Sequence, residues 1–92
     1  MKFLNIVGPQ IKALRKARRW SHSMLAARLQ VTGLDITRSA VSKMETRVAS
    51  ITEIRLLHLA EAFGVSVTEL FPRREPSEHI HSYFERSGIS LD

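Results

Sequence analysis

The stretch SHSMLAARLQVTGLDITRSAVSKME, residues 21–45, decides how this chain folds. Ser21 and Thr37 each stand just before a run with apolar residues at helical spacing, where a hydroxyl can accept a hydrogen bond from a free N–H of the first helical turn. The apolar residues of the two runs are Leu25, Ala26 and Leu29, followed by Val41 and Met44. Gly33 can take the left-handed conformation that ends a helix. The stretch therefore predicts two helices joined by a turn.

The turn between these two helices is short. Only Leu34, Asp35 and Ile36 separate Gly33 from Thr37. A connection of this length makes two helices cross steeply, which is the geometry of a helix-turn-helix unit.

Capping signals on both sides of this unit predict further helices. Gly8 followed by Pro9 reads as an N-cap and first helical residue, because the missing N–H of proline falls where a helix needs none. We expect this first helix to end near Arg19. Thr52 begins a fourth helix and Gly64 ends it.

A fifth, short helix is predicted after Gly64. Ser66 and Glu69 have the spacing of a capping box, and Pro72 stops the helix. No strand pattern or internal repeat appears. The sequence predicts an all-α, compact five-helix bundle over residues 1–72, followed by a tail, residues 73–92, that is either a further helix or a frayed end.

Composition limits the class of protein. A length of 92 residues suits one domain, and a 43% apolar content suffices for a core. The chain has no cysteine, which excludes disulfides and thiolate metal sites and suggests a cytoplasmic setting. No apolar run is long enough for a signal peptide or a membrane span, so we expect no membrane association.

Charge is divided unevenly along the chain. Residues 1–47 hold ten lysines and arginines against two acids, a net charge of +8. Residues 48–92 hold four basic and seven acidic residues, a net charge of −3. A cationic half of this kind favours a polyanion, above all nucleic acid, as partner. The alternative is that these cations merely solvate helix faces.

Residues for catalysis are not apparent. No glycine has the spacing of a phosphate-binding loop, so no nucleotide cofactor is expected. His79 and His81, two residues apart, form at most a weak two-ligand site, and we expect no metal there. The sequence predicts that the protein is not an enzyme.

The third helix, predicted over residues 38–46, carries the pattern most informative about function. If Val41 and Met44 face inward, the outward face holds hydroxyls and cations and no carboxylate. Short hydroxyls suit a helix that enters the major groove, and long cations can donate to guanine O6 and N7. The residues expected to contact bases are Arg38, Ser39, Ser42 and Lys43. An ordinary polar helix face is the alternative.

Further residues are placed to contact phosphate. The positive helix N-termini at Ser21 and Thr37 are suited to anions, and phosphate contacts position a protein without reading sequence. The residues expected to contact phosphate are Arg15, Ser21, His22, Thr37, Thr46 and Arg47.

Four segments of the chain together resemble the lambda repressor/Cro-like helix-turn-helix family. They are GPQIKALRKARRWS at residues 8–21, LAARL at 25–29, TRSAVSKME at 37–45 and LHLAEAFGVSVTELF at 57–71. Members are mostly bacterial or phage regulators that bind operator DNA as dimers. The resemblance implies that Thr37 touches phosphate, that Arg38, Ser39 and Lys43 face bases, and that Arg15 pairs with Glu45.

The chain departs from the family pattern in two places. His22 stands where the family usually has glutamine at the start of the second helix. Residues 30–40 form a longer stretch than the compact family pattern, so either the second helix is extended or the turn is enlarged.

These observations predict a sequence-specific regulator of transcription, expected to be a repressor, that binds double-stranded DNA. A homodimer on a palindromic operator is expected, because one small reading helix gives little affinity. The candidate dimer residues are Leu70, Phe71 and the tail residues Ile80, Tyr83 and Phe84. The alternative is a protein-interaction module, antitoxin-like or an assembly component, with an acidic protein partner.

Overall fold

The computed structural model describes residues 3–72, and within them it contains four α-helices, one 3₁₀ helix and no strand. In chain order these are α1 (Gly8–Ala17), α2 (His22–Val31), α3 (Arg38–Glu45), α4 (Glu53–Phe63) and the 3₁₀ helix (Val67–Leu70). The all-helical class is confirmed, but the prediction of five helices is corrected to four. The fifth element is a 3₁₀ helix of only four residues. The backbone is already extended at Phe71, so the segment is too short to form the backbone hydrogen bonds of an α-helix.

The caps predicted at three helix starts are confirmed. The side chains of Ser21, Thr37 and Thr52 each accept a hydrogen bond from the backbone N–H three residues later, at 3.1 to 3.2 Å. The Glu69 carboxylate accepts from the backbone N–H of Ser66 at 2.7 Å, as expected of the capping box. These bonds are local in sequence, which is why short patterns predicted them.

The boundaries of α1 differ from the prediction at both ends. Gly8 is the first helical residue and Val7 is the N-cap. The side chain that accepts hydrogen bonds from the free N–H groups of Val7 and Gly8, at 3.1 and 2.8 Å, is Asn5. The helix ends at Ala17, and the backbone turns at Arg19, whose φ is 58°.

The helix-turn-helix unit consists of α2, residues 32–37 and α3. Gly33 has a φ of +100°, in the region that favours glycine. The turn is tied to α2 by Gln30, whose Nε2 donates to Ile36 O at 3.0 Å. Ile36 itself is buried. The connection is therefore an ordered part of the domain, and it fixes the start of α3.

One hydrophobic core joins all five elements. Its buried members include Ile11 of α1, Leu25 and Leu29 of α2, Val41 and Met44 of α3, Leu59 and Phe63 of α4, and Leu70 of the 3₁₀ helix. α2 packs against both α3 and α4, whereas α1 packs against α3 and the 3₁₀ helix. Leu70 is fully buried, so its predicted place in a dimer interface is wrong, while Phe71 remains exposed.

An aromatic stack closes the core between α1 and α4. Trp20 lies nearly parallel to Phe63, with 5.8 Å between ring centroids. Arg18 donates from Nη2 to Phe63 O at 2.7 Å, at the last residue of α4, where a cation also favours the helix dipole. In residues 3–72 no helix is both long and apolar enough to cross a membrane.

Gly8 is needed because α1 starts against the end of α3. A Cβ on Gly8 would lie 2.6 Å from Met44 O and 2.8 Å from Glu45 O. Both are backbone atoms of a helix terminus, so they cannot move away as a flexible side chain would.

Gly8→Ala is expected to lower the free energy of unfolding by about 1 to 3 kcal/mol, because the added methyl forces α1 away from α3. At an uncrowded helical position the same change would raise stability by about 0.4 to 1 kcal/mol. Urea denaturation measures the difference. Ala13→Gly, at an exposed position of α1, serves as control and isolates the propensity effect of about 1 kcal/mol. Unchanged or increased stability of Gly8→Ala would show that the close approach is absent.

Candidate nucleic-acid interface

A polar recess lies between the first turns of α2 and α3. Its volume is about 390 Å³, and its lining residues are Ser21, His22, Ser23, Arg38, Ser39 and Ser42. Within the described part of the chain, none of the side chains lining it is acidic. Both helices begin here, so their partial positive ends add to the charge of Arg38. The recess is thus a surface of hydroxyl, imidazole and guanidinium groups suited to an anion.

The outward face of α3 is arranged as its periodicity indicated. Val41 and Met44 are fully buried. The residues on the outer side, expected to face bases, are Arg38, Ser39 and Lys43, which are exposed, and Ser42, which is half-buried. Arg38, Ser39 and Ser42 also line the recess. The structure therefore brings the four candidate base-contacting residues onto one helix, next to the start of α2.

Ser21 and Thr37 keep hydroxyl hydrogens that can reach a phosphate. Each hydroxyl oxygen accepts from a backbone N–H, and this leaves its own hydrogen available for donation. Thr46 differs, because its Oγ1 donates to Ser42 O at 3.0 Å. Its one hydroxyl hydrogen is directed at the helix backbone, which does not favour the expected phosphate contact.

Arg47 holds the N-terminal segment of the described chain. Its Nε donates to Asn5 O at 2.7 Å, and its guanidinium lies 3.9 Å from the ring centroid of Phe3. The backbone of Arg47 is left-handed, with a φ of 67°, and its carbonyl accepts from Leu4 N at 2.9 Å. The side chain predicted to contact phosphate thus has a structural function at the end of α3.

Arg15 and Glu45 form the ion pair that the resemblance implies. Arg15 Nε donates to Glu45 Oε2 at 2.6 Å and Nη2 donates to Oε1 at 3.0 Å, while Nη1 donates to Trp20 O at 2.8 Å. The two side chains are only 10% and 2% exposed. The hydrogen bond with Glu45 raises the pKa of Arg15, and burial acts in the opposite direction. Because Arg15 is buried and engaged, the structure favours a positioning function over direct phosphate contact.

His22 is the third residue of this cluster. Its Nε2 lies 3.1 Å from Glu45 Oε1, and its side chain is 36% exposed. Glu45 therefore contacts α1 through Arg15 and α2 through His22. The family resemblance marked His22 as a departure from glutamine, but only the structure reveals this contact.

Asn5 is a residue that sequence reasoning missed. Besides capping α1, it donates from Nδ2 to Met44 O at 3.1 Å and to Ala49 O at 2.8 Å. Asn5 is buried, and its bonds join residues 39 and 44 positions apart. An asparagine three residues before Gly8-Pro9 was a usable signal for these bonds, since asparagine side chains accept from backbone N–H groups two or three residues later. The contacts to α3 and its following loop had no local signal.

Among residues 3–72, no three His, Cys, Asp or Glu side chains come together as a metal site. His79 and His81 lie outside the described residues.

Replacing either member of the buried pair is expected to destabilise the domain. Arg15→Met or Glu45→Met leaves a buried charge without its main partner, which lowers the free energy of unfolding by about 3 to 5 kcal/mol. The double variant Arg15→Met/Glu45→Met recovers most of that loss. Urea denaturation of the four proteins gives the coupling energy, with Lys16→Met, an exposed change on α1, as control. Single losses that simply add in the double variant would contradict the pairing.

Comparison with known proteins agrees with this geometry. No curated protein and no solved structure gives a significant match. A family model described as helix-turn-helix matches residues 11–70, about two thirds of the chain. The match includes α2, the turn and α3 as well as α4 and the 3₁₀ helix. The chain therefore belongs to the lambda repressor/Cro-like helix-turn-helix family of DNA-binding regulators.

Proposed function

We propose that this protein is a sequence-specific regulator of transcription, acting as a repressor, that inserts α3 into the major groove of duplex DNA. The observation that carries the proposal is the joint surface of α3 and the recess, where cations and hydroxyls surround two helix N-termini and no lining residue of the described chain is acidic. Membership of a DNA-binding family supports the same partner. A repressor of this kind acts by occupying its operator.

The proposed contacts divide into base reading and phosphate anchoring. Arg38 and Lys43 donate to guanine, and Ser39 and Ser42 donate or accept at neighbouring base edges. Ser21, His22 and Thr37 anchor phosphates at the starts of α2 and α3. Glu45 and Arg15 act beneath this surface, because their bonds set the position of α3 against α1 and α2.

We further propose that the active form is a homodimer in which residues 1–72 bind DNA and residues 73–92 contribute to dimerisation. One eight-residue reading helix offers few contacts. Two copies on half-sites about 34 Å apart would double them, and two-fold symmetry would require a palindromic operator. Phe71, exposed just before the tail, is a candidate contact.

Selection of bound sites from random duplexes tests the function without knowledge of the operator. The full chain is incubated with the pool, and bound duplexes are amplified and sequenced through several rounds. An enriched palindrome supports base reading and dimerisation together. An enriched site without two-fold symmetry supports base reading alone. Absence of enrichment refutes sequence-specific binding and favours the protein-interaction module.

Arg38→Ala and Lys43→Ala are each expected to weaken binding to the enriched duplex by about 1 to 3 kcal/mol, because each removes a base contact. Fluorescence anisotropy gives the affinity at several salt concentrations, and log K should fall with log salt at a slope of about −0.9 per phosphate contact. Lys16→Ala removes the same charge from the exposed side of α1 and serves as control. Equal losses for all three variants would point to general charge attraction rather than groove reading.

A further inference from the structure

His22 lies between a buried ion pair and the polar recess. Its Nε2 is 3.1 Å from Glu45 Oε1, and the same carboxylate accepts two hydrogen bonds from Arg15. The imidazole is nevertheless 36% exposed and lines the recess. One side of the ring is therefore committed to the protein interior, while the ring as a whole remains accessible to a ligand in the recess.

Hydrogen-bond chemistry fixes which ring nitrogen carries the proton. The Glu45 carboxylate, bound at both oxygens by Arg15, can only accept hydrogen bonds. His22 must therefore present an N–H at Nε2. In a neutral imidazole with its proton on Nε2, Nδ1 is a bare acceptor. Nδ1 makes no hydrogen bond to any residue of the described range 3–72.

A DNA phosphate in the recess could not accept a hydrogen bond from Nδ1 of a neutral His22. Phosphate oxygens accept hydrogen bonds, so they gain nothing from the Nδ1 lone pair of a neutral ring. A second proton turns Nδ1 into a donor and gives the ring a positive charge while the bond to Glu45 is kept. Hydrogen bonds between a charged donor and phosphate are about twice as strong as neutral ones.

Charged side chains of α1 and α3 face His22. Glu45 of α3 and Arg15 of α1 lie behind the ring, and Arg38 of α3 lines the same recess. Arginine stays protonated throughout the accessible pH range, and both oxygens of Glu45 accept hydrogen bonds from Arg15. Among these groups only an imidazole ordinarily titrates between about pH 5 and 8.

We infer that binding of duplex DNA is coupled to uptake of a proton, at most one, by His22 in each protomer, so that affinity falls as pH rises. The inference rests on the proposed function, since it places a DNA phosphate at the recess. Linkage is reciprocal, so phosphate favours the protonated ring and the protonated ring favours phosphate. One linked proton changes affinity by at most about tenfold per pH unit.

Glutamine is the informative replacement for His22. Its amide can donate both to Glu45 and to a phosphate at every pH in the range, because it holds two N–H donors and does not titrate. His22→Gln should therefore bind duplex with little change between pH 6 and pH 8. His58→Gln is the matched control, because His58 is bonded to Thr32 at 2.7 Å and is absent from the recess lining.

The test measures affinity at pH 6 and pH 8 for the full chain, using a duplex enriched by selection or, if none is enriched, a mixed-sequence duplex of about 30 base pairs at low salt. Wild type and His58→Gln are expected to lose about tenfold in affinity between these values. The loss for His22→Gln should stay below about twofold. A tenfold loss over two pH units corresponds to an average uptake of about half a proton, so calorimetry in buffers of different ionisation enthalpy should count about half a proton per wild-type protomer, averaged over this range, and none for His22→Gln.

The outcomes separate this inference from the proposed function. Duplex binding with the same pH dependence in wild type and His22→Gln overturns the inference and leaves the proposed function intact. No duplex binding at either pH overturns both. If His22→Gln does not fold, as judged by circular dichroism, NMR is used instead. The ring nitrogen resonances of His22 in the wild-type complex then show whether Nδ1 is protonated. A protonated Nδ1 at pH 7 supports the inference, and an unprotonated Nδ1 refutes it.

Discussion

The buried carboxylate of Glu45 is the constraint on which the arrangement of the first three helices depends. A charge removed from water is tolerated only if it is paired and its remaining acceptor positions are filled. Glu45 meets that condition with donors from two other helices, Arg15 of α1 and His22 of α2. Arg15 in turn bonds to Trp20 O in the connection between those helices. The positions of α1, α2 and α3 are thereby defined at one point beneath the proposed DNA-binding surface.

Helix α3, the proposed reading helix, needs this support because it is too short to be stable alone. Isolated helices below about 12 residues are marginal in water, and α3 has eight. Its start is capped by Thr37 and follows the buried Ile36. Its end is held by the close approach of Gly8 and by the hydrogen bond from Asn5 to Met44 O. Tertiary contacts thus hold α3 in place at both ends.

The same cluster connects stability with the chemistry of the recess. Arg15 and Glu45 neutralise each other inside the domain, so the exposed surface above them is left to Arg38, Lys43 and the hydroxyls. His22 belongs to both parts, since it binds the interior carboxylate and lines the recess. A change at His22 can therefore alter ligand binding without removing the pair on which the helices depend. This separation supports the proton-linked contact that we infer for His22.

Local patterns in the sequence were sufficient for most of the fold. Caps at Ser21, Thr37 and Thr52 and the inward stripe of α3 depend on residues three or four apart, so they can be read from the chain directly. The candidate base-contacting face follows from the same periodicity. The family resemblance added the Arg15 and Glu45 pair, which no local pattern contains.

Contacts between residues distant in the sequence decided the features that local patterns did not predict. Leu70 is buried, Thr46 turns its hydroxyl to the α3 backbone, and Arg47 binds the N-terminal segment, so three predicted surface functions lost their support. Asn5 reaches across about 40 residues to Met44 and Ala49, which no spacing rule anticipates. The sequence by itself predicted the four α-helices and the cations and hydroxyls that are proposed to contact DNA. Tertiary structure alone decided which of those side chains stay exposed, because burial and hydrogen-bond partners depend on how the helices meet.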